Sequence, residues 1–352
     1  MEKKKRKYIF VHGLSGWGSY EKAYKRMPYW GMRNGDLIVQ LRKEGYDAYC
    51  ASVSPQGSAY DRSCELYAQL AGTKTDYGVR HAQRYSHERY GPDFTGKPLI
   101  EDLEGSELVL LGHSFGGATI RRFAHIMEHG IEEEGGSDFF KGGKKENIFA
   151  LVCLAAPHNG TTAYDMYQDE DFDPYAIKGD LRERIGSSLM SRSNKTKSIL
   201  PEDDCAAYDM HIDNALAMNV TMPISKDIWY FSQPCCMTME DDKGDQIPVK
   251  DRVEAIYSRT SRRMGAYMGK TKGGLVIDES WKANDGLVNT VSSMYPMSDP
   301  HRAFDQEKIE KGVWNVFDVY KGDHMSLQGG LMIKNDVSDY YRRLLALIDS
   351  LN

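Results

Sequence analysis

Apolar residues in the first half of this chain fall into short runs that alternate with longer amphipathic segments. Runs of about four to eight apolar, β-branched or aromatic residues are typical of strands, whereas apolar positions spaced three and four apart are typical of helices. The predicted strands cover residues 8–11, 46–53, 108–111, 149–154, 228–231 and 313–319, and the predicted helices cover residues 36–43, about 116–128, and 337–351. Strands separated by helices predict an α/β fold with a mostly parallel central sheet flanked by helices.

The last predicted helix carries an apolar face, which we expect to pack on the sheet and close the domain. That face is formed by Val337, Tyr341, Leu344, Leu345, Ile348 and Leu351. Two stretches interrupt the alternation: residues 60–91 are polar and aromatic, and residues 164–209 are rich in acidic and small residues. Because we find no internal repeat, the pattern predicts one domain over residues 1–352 with insertions at about 60–91 and 164–209.

Composition and charge exclude several kinds of partner. A hydrophobic content of 41% supports a sizeable core at 352 residues, and a net charge of −6 provides no basic surface for nucleic acid. No run approaches the roughly 20 apolar residues of a membrane span. The basic residues 3–7 precede only a short apolar run, far below the roughly 7–15 residues of a signal peptide. We therefore expect a cytoplasmic protein, or a secreted one whose leader was removed upstream of Met1.

The six cysteines do not have the spacing of a disulfide framework. Cys50 and Cys153 lie inside apolar, strand-like runs, where a small buried thiol is expected. No CxxC pair is present, which disfavours a zinc site built from thiolates.

Residues 108–118, LVLLGHSFGGA, join an apolar strand to Gly-x-Ser-x-Gly and the start of a helix. In such a nucleophile elbow a strained turn projects the serine hydroxyl beyond the sheet. Gly112 and Gly116 are small because larger side chains would collide across the turn, and the helix N-terminus favours developing negative charge. The alternative is a glycine-rich turn around a phosphate, but it lacks the Walker lysine and gives no reason for the His-Ser pair. We predict Ser114 as a nucleophile.

Attack on an ester carbonyl creates an oxyanion that needs two amide donors. Phe115, the residue after the nucleophile, supplies one of them. The second should come from a glycine-rich turn after another strand, and residues 12–18, HGLSGWG, directly follow the first predicted strand. Leu14 N–H is the best candidate, since a plain β–α turn explains the glycines but not His-Gly at the strand end.

A histidine base is expected after the nucleophile, because α/β-hydrolases place nucleophile, acid and histidine in that order along the chain. The histidines that follow the nucleophile are His125, His129, His158, His211, His301 and His324. His324 directly follows the last predicted strand, in a loop from which a base can reach Ser114. Most of the others fit a helix surface, the lining of a cleft or a polar turn.

Asp285 is the preferred acid, because its Asn-Asp-Gly turn before an apolar stretch presents a carboxylate from a tight loop. Asp278 is the rival, and capping of a turn is the alternative role for either residue. Asp323 adjoins His324 and is expected to form a turn.

These segments resemble the staphylococcal and thermophilic-bacillus lipase family, whose members are zinc-containing α/β-hydrolases. The matching segments are residues 12–18, 60–70, 76–78 with His81, 112–117, 284–290 and 322–324, in the same order and over nearly the whole chain. The resemblance implies an α/β-hydrolase fold with inserted zinc-binding and lid segments, and the activity of a short-lid lipase or carboxylesterase.

The segment around Asp61 is specific to this family among hydrolases. It implies a structural zinc ion bound by Asp61, His81, His87 and Asp209. Two imidazoles and two carboxylates suit four-coordinate Zn²⁺ with no open position. The ion would pin the first insertion to the second one near Asp209.

Two departures from the family modify what the resemblance implies. The family's calcium site uses carboxylates just after the base histidine, and residues 325–330, MSLQGG, offer none, which disfavours calcium. Residues 164–209, which carry the helical lid in the family, are shortened and acidic rather than strongly apolar. A shorter lid argues against interfacial activation and favours soluble short- to medium-chain esters. Triglycerides stay open as substrates, as do polyesters, which similar short-lid relatives from anaerobes cleave.

The sequence thus predicts a serine hydrolase that cleaves a small-molecule or lipid carboxylic ester through an acyl-enzyme. The first alternative is a thioesterase, amidase or acyltransferase that uses the same triad. The second is a catalytically silent binding protein of the same fold, although the complete Ser, Asp and His set argues against it.

Overall fold

The computed structural model describes residues 5–179, 201–252 and 254–352. Its strands are β1 (Lys5–Val11), β2 (Ala48–Ala51), β3 (Lys74–Asp76), β4 (Tyr90–Asp93), β5 (Ser106–His113), β6 (Ile148–Leu154), β7 (Trp229–Gln233), β8 (Cys235–Cys236), β9 (Thr238–Glu240), β10 (Gln246–Pro248), β11 (Gly269–Lys270), β12 (Val276–Ile277), β13 (His301–Ala303), β14 (Trp314–Val316) and β15 (Tyr320–Lys321). Its α-helices are α1 (Leu37–Lys43), α2 (Ala59–Ala71), α3 (Val79–Tyr85), α4 (Phe115–His129), α5 (Thr162–Asp165), α6 (Ala206–Asp209), α7 (Ile212–Val220), α8 (Ala255–Ala266), α9 (Thr290–Met294) and α10 (Ser338–Asp349).

Seven strands form one sheet in the order β13-β14-β7-β6-β5-β1-β2, and each neighbouring pair in it is parallel. Parallel neighbours need crossover connections, so helices cover the faces of such a sheet and bury both of them. The centre shows the result, because every residue of β6 is buried. The predicted α/β fold with flanking helices is confirmed.

Two helices form where the local pattern predicts them. The carboxylate of Asp36 caps α1 by accepting hydrogen bonds from the N–H groups of Ile38 (2.9 Å) and Val39 (3.2 Å). At the other end of the chain, α10 turns its apolar face inward, and the Tyr341 ring lies 5.7 Å from the Phe10 ring between centroids. All six predicted positions of this face are buried: Val337, Tyr341, Leu344, Leu345, Ile348 and Leu351.

The stretch predicted as the first insertion begins with a helix that belongs to the core. α2 is buried from Asp61 to Leu70, although many of its side chains are polar. It packs against α4, where Ser63 Oγ donates to Thr119 O at 3.1 Å. Its polar side chains therefore bind neighbouring segments inside the protein instead of facing solvent.

The described parts of the second predicted insertion contain only short helices. Residues 180–200 of the predicted lid lie outside the described residues. On the two sides of this gap, α5 and α6 are single helical turns. None of the helices in the described ranges is long and apolar enough to cross a bilayer.

All six cysteines lie in the described residues and carry free thiols, as the sequence predicts. Cys50 and Cys153 are buried in the sheet, and burial raises the pKa of the Cys153 thiol to about 12. These thiols are apolar packing groups at neutral pH.

Candidate active site and metal centre

Ser114 lies at the sharp turn between β5 and α4. Its backbone has φ 55° and ψ −130°, a conformation that is costly for a residue with a side chain and that recurs at functional turns. A Cβ on Gly112 would lie 2.4 Å from Gly116 O, and a Cβ on Gly116 would lie 2.4 Å from Val11 O. The glycine spacing thus reflects a steric requirement of this elbow.

Three side chains from distant parts of the sequence meet at this turn. His324 Nε2 lies 2.8 Å from Ser114 Oγ, and His324 Nδ1 lies 2.8 Å from Asp285 Oδ2. An ionised carboxylate can only accept, so Nδ1 carries the proton and Nε2 is free to accept one from the serine. The residues are 6%, 4% and 0% exposed for Ser114, His324 and Asp285, so the line of hydrogen bonds is shielded from water.

The two oxygens of the Asp285 carboxylate have different hydrogen-bond partners. Its Oδ1 accepts from the N–H groups of Leu287 (3.0 Å) and Val288 (2.8 Å), which forms the predicted turn, while Oδ2 faces His324. Asp278, the rival acid, is exposed and caps a turn at Ser280. The structure therefore brings Asp285, and not Asp278, to the histidine.

The loop after β1 lies directly against the nucleophile. A Cβ on Gly13 would lie 2.7 Å from Ser114 Cβ, so only glycine allows this close approach. The amide of Leu14 follows in this loop, and the amide of Phe115 follows Ser114 at the start of α4. Both predicted oxyanion donors thus belong to backbone segments that adjoin the serine.

A second cluster combines two imidazoles and two carboxylates. Ligand atoms of Asp61, His81, His87 and Asp204 all lie within 4.8 Å of one another. His81 Nε2 is 3.1 Å from Asp61 Oδ1 and 3.2 Å from Asp204 Oδ2, and His87 Nε2 is 3.3 Å from Asp204 Oδ2. Helix α2 supplies Asp61, α3 supplies His81, and the segment before α6 supplies Asp204.

The chemistry of this cluster suits a metal ion. His87 Nδ1 donates to Glu88 O at 2.8 Å, which leaves Nε2 as the free ligand atom. That Nε2 is buried without a hydrogen-bond partner among the described residues. Burial disfavours the charged form of His81, but the hydrogen bonds to Asp204 and Asp61 outweigh burial and raise its pKa to about 9. The two carboxylates therefore strongly favour positive charge at this point.

The sequence matches the family model described as "Lipase-like, C-terminal domain" over residues 4–187 and 185–349. The chain belongs to this family. The lipase of Staphylococcus hyicus is 31% identical over 363 residues, covering 93% of this chain and 54% of that protein. Lipase 2 of Staphylococcus aureus is 30% identical over 356 residues, covering 91% and 50%. The chain thus spans about half the length of the curated relatives that it matches, and the predicted resemblance to staphylococcal lipases is confirmed.

Solved structures of related proteins match nearly the full length of this chain. EstA from Clostridium botulinum has a TM-score of 0.83 at 28% identity, covering 100% of this chain and 88% of that one. The Staphylococcus hyicus lipase has a TM-score of 0.80 at 26% identity, covering 99% and 97%. Lipase 1 from Pelosinus fermentans has a TM-score of 0.78 at 27% identity, covering 99% and 100%. The α/β-hydrolase type of fold is therefore shared with bacterial lipases.

In this member of the lipase-like family, the prediction of Asp209 as the fourth metal ligand is wrong. Asp204 completes the cluster, whereas Asp209 Oδ2 accepts a hydrogen bond from Ala59 N at 2.7 Å. Asp209 therefore caps the start of α2, and burial raises its pKa to about 6. Both carboxylates lie in one short acidic segment, and only packing decides which of them faces the histidines.

A buried hydrogen-bond network that the sequence did not predict joins the base to the loop after β1. His113 Nε2 lies 2.8 Å from His324 O, which can only accept, so His113 Nε2 carries the proton. His113 Nδ1 then accepts from Tyr29 OH at 2.5 Å, and Tyr29 OH accepts from Gly13 N at 3.1 Å. Burial, together with nearby His324, holds the pKa of His113 well below its usual range, so the ring stays neutral. The His-Ser pair of the elbow was the only signal in the sequence for this network.

Side-chain amides donate hydrogen bonds to residues 325–330, the loop after His324 in which the sequence disfavours a calcium site. Asn335 Nδ2 donates to Ser326 O at 2.7 Å and to Tyr320 OH at 3.0 Å. Asn34 Nδ2 donates to Gly329 O at 3.1 Å. These hydrogen bonds tie the loop to its surroundings.

Proposed function

We propose that this chain is a serine hydrolase that cleaves carboxylic esters. The observation that carries the proposal is the line of two 2.8 Å contacts from Ser114 Oγ through His324 to Asp285. A serine hydroxyl is a weak nucleophile unless a base takes its proton during attack. The 2.8 Å distance from His324 Nε2 to Ser114 Oγ supports His324 in this role. Asp285 stabilises the imidazolium that then forms.

The reaction proceeds in two halves. Ser114 Oγ attacks the ester carbonyl while His324 takes its proton, and the amides of Leu14 and Phe115 donate to the oxyanion. His324 then gives the proton to the departing alkoxide, which leaves as the alcohol, and the acyl group stays on Ser114. Water, deprotonated by His324, attacks the acyl-enzyme and releases the acid, which regenerates the serine.

The surroundings of the proposed oxyanion donors favour an apolar acyl group. Buried Phe115 and partly buried Leu14 belong to one apolar cluster with residues of α6 and its neighbourhood. The cluster contains Leu14, Ala59, Phe115, Ala118, Tyr164, Ala206, Met210 and Met218. The relatives that are named lipases agree with this class of substrate. We infer short- to medium-chain acyl esters, with triglycerides and polyesters as further candidates.

We also infer that the second cluster holds a structural zinc ion. Asp61, His81, His87 and Asp204 would supply all four ligands, so no coordination position stays open for water. An ion in such a site stabilises the fold and does not activate a nucleophile.

Replacement of the nucleophile tests the proposed function. Ser114→Ala should lower kcat for p-nitrophenyl butyrate by about 10⁶, because no other group can form the acyl-enzyme. A fluorophosphonate probe should label the wild-type protein and fail to label Ser114→Ala. Ser298→Ala, a change at an exposed serine, is the matched control and should retain activity and labelling.

Near-normal turnover by Ser114→Ala would contradict the assignment. Parallel assays with the matched anilide and thioester decide between the classes of substrate. Faster cleavage of either one than of the ester would replace esterase activity by amidase or thioesterase activity.

A further inference from the structure

Arg62 is a completely buried arginine on α2, next to Asp61 of the metal cluster. Its Nη2 donates to His12 O, and its Nη1 donates to Gly13 O at 3.4 Å and to Ser54 O at 3.1 Å. A buried guanidinium is costly unless its donors are used, and here they hold backbone carbonyls.

Two of these carbonyls are consecutive in the loop that adjoins the nucleophile. Gly13 O receives a second hydrogen bond, from His12 Nδ1 at 2.9 Å. Val53 N donates to His12 Nε2 at 3.4 Å, which assigns the ring proton to Nδ1. Burial and the charge of Arg62 lower the pKa of His12 to about 3, so its ring stays neutral. Gly13 O also accepts from Gly16 N at 3.2 Å, so two side chains and one backbone amide hold this carbonyl.

The orientation of this carbonyl determines the orientation of the next amide. The described chain contains no cis peptide, and in a trans peptide the C=O and the following N–H point in opposite directions. With Gly13 O held toward Arg62, Leu14 N–H points away from Arg62, while the loop itself lies against Ser114.

Arg62 also contacts the start of α4, which carries the other proposed oxyanion donor, the Phe115 amide. Its guanidinium carbon lies 5.2 Å from the centroid of the Phe115 ring. Its Nε donates to Thr119 Oγ1 at 2.8 Å, and Thr119 Oγ1 donates in turn to Phe115 O at 3.2 Å. One side chain thus connects the two segments that carry the amide donors.

We propose that Arg62 is the positioning residue of the oxyanion hole, which it shapes by holding the His12 and Gly13 carbonyls so that Leu14 N–H faces the developing oxyanion. This inference rests on the proposed ester hydrolase function. An oxyanion hole accelerates the reaction because its donors are oriented before charge develops. The planar fork of arginine can hold two carbonyls at once, which the single ammonium of lysine cannot reproduce.

Arg62→Lys is the variant that tests this role, since it keeps the charge and removes the fork. For p-nitrophenyl butyrate we expect kcat to fall about 10- to 100-fold, somewhat less than for loss of a complete donor, with KM within about threefold. Affinity for a trifluoromethyl ketone analogue should fall by a similar factor. Ser114 adds to this ketone, its proton passes to His324, and the resulting hemiketal oxygen occupies the same hole.

Arg121→Lys is the matched control. Arg121 lies on α4 and is buried, as Arg62 is, but its guanidinium donates to Asn219 Oδ1 at 2.9 Å. It should change kcat and ketone affinity by less than about threefold. Thermal unfolding and circular dichroism show whether each variant is folded. If Arg62→Lys does not fold, Thr119→Val takes its place; it removes the acceptor of Nε and should lower kcat and ketone affinity in parallel.

A folded Arg62→Lys with wild-type kcat overturns the inference, as does a loss of kcat with unchanged ketone affinity. For Thr119→Val, unchanged kcat and ketone affinity overturn it as well. A wild-type protein that neither hydrolyses the ester nor reacts with the ketone instead overturns the proposed function. The two failures are therefore distinguishable.

Discussion

At the scale of single residues, both backbone groups of His324 form hydrogen bonds. Its N–H donates to Asp285 O at 2.9 Å, and its C=O accepts from His113 Nε2 at 2.8 Å. These two bonds fix the backbone from which the ring reaches Asp285 and Ser114. The neighbouring Asp323 bonds to backbone groups instead. Its carboxylate accepts from Met325 N at 3.0 Å and from Glu254 N at 2.8 Å.

Asp285→Asn should lower kcat/KM at neutral pH by about 10⁴, although the shape of the site hardly changes. The asparagine oxygen can keep the turn at Leu287 and Val288, which leaves its NH₂ group facing His324 Nδ1. Nδ1 must then accept, so Nε2 carries the proton and cannot take one from Ser114. Steady-state kinetics with p-nitrophenyl butyrate measure the effect.

Asp278→Asn is the matched control for this experiment, because it makes the same change at the exposed rival acid, which caps the turn at Ser280. It should keep kcat/KM within a few-fold of wild type. Equal losses in the two variants would contradict the assignment of Asp285 as the orienting acid.

At the scale of elements, α2 serves two sites with consecutive residues. Successive residues of a helix point in directions roughly 100° apart. Asp61 therefore points toward His81 and Asp204, while Arg62 points toward the loop after β1. The polar sequence of this helix suggests a surface insertion, because a pattern of polarity cannot show that each polar group has a buried partner. The edge strand β13 escaped prediction for a related reason, since it has only three residues and two are exposed.

The ligand set can be tested at the two acidic residues around α6. Asp204→Ala should abolish stoichiometric zinc, because it removes one of four ligands. Asp209→Ala should retain about one zinc per chain, since Asp209 caps α2 through Ala59 N. Metal analysis by mass spectrometry of proteins purified without added chelator provides the measurement. Retention of zinc in the first variant and loss in the second would restore the original prediction of Asp209.

At the scale of the whole molecule, the parallel sheet brings distant residues to one edge. His324 and Ser114 are 210 positions apart, and His324 and Asp285 are 39 apart. A second set of contacts joins the segment before α2 to the segment before α6, where Gly57 and Cys205 form an isolated bridge and Ala206 N donates to Gln56 O at 3.0 Å. The candidate metal-binding cluster of Asp61, His81, His87 and Asp204 lies at this junction.

Removal of the metal should therefore lower the thermal stability of the whole chain. At free zinc a thousandfold above Kd, binding contributes about 4 kcal/mol, so chelation should lower Tm by several degrees. Differential scanning calorimetry with and without chelator measures the shift, and added zinc should reverse it. The folded Asp204→Ala variant serves as the control, because its Tm should not respond to chelator. An unchanged wild-type Tm after verified zinc removal would contradict a structural role.

Local patterns in the sequence were sufficient for features that depend on neighbouring residues. The apolar strands β1, β5 and β6, helix α1 and the buried face of α10 follow from steric and burial preferences over a few residues. Gly112 belongs to the same class, because it relieves a contact with Gly116 O in the helix that directly follows the elbow. Gly116 does not, because it relieves a contact with Val11 O of the distant strand β1. The order of Ser114, Asp285 and His324 along the chain was also readable before any geometry.

Other features were decided by the tertiary structure alone. The choice of Asp204 over Asp209, the Tyr29–His113 connection and the two carbonyls held by Arg62 all join segments that are far apart in sequence. Whether a polar side chain in such a segment becomes a ligand, a cap or a positioning group depends on which partner packing brings within about 3 Å. Residue type and spacing along the chain do not determine that distance, so these assignments required the folded structure.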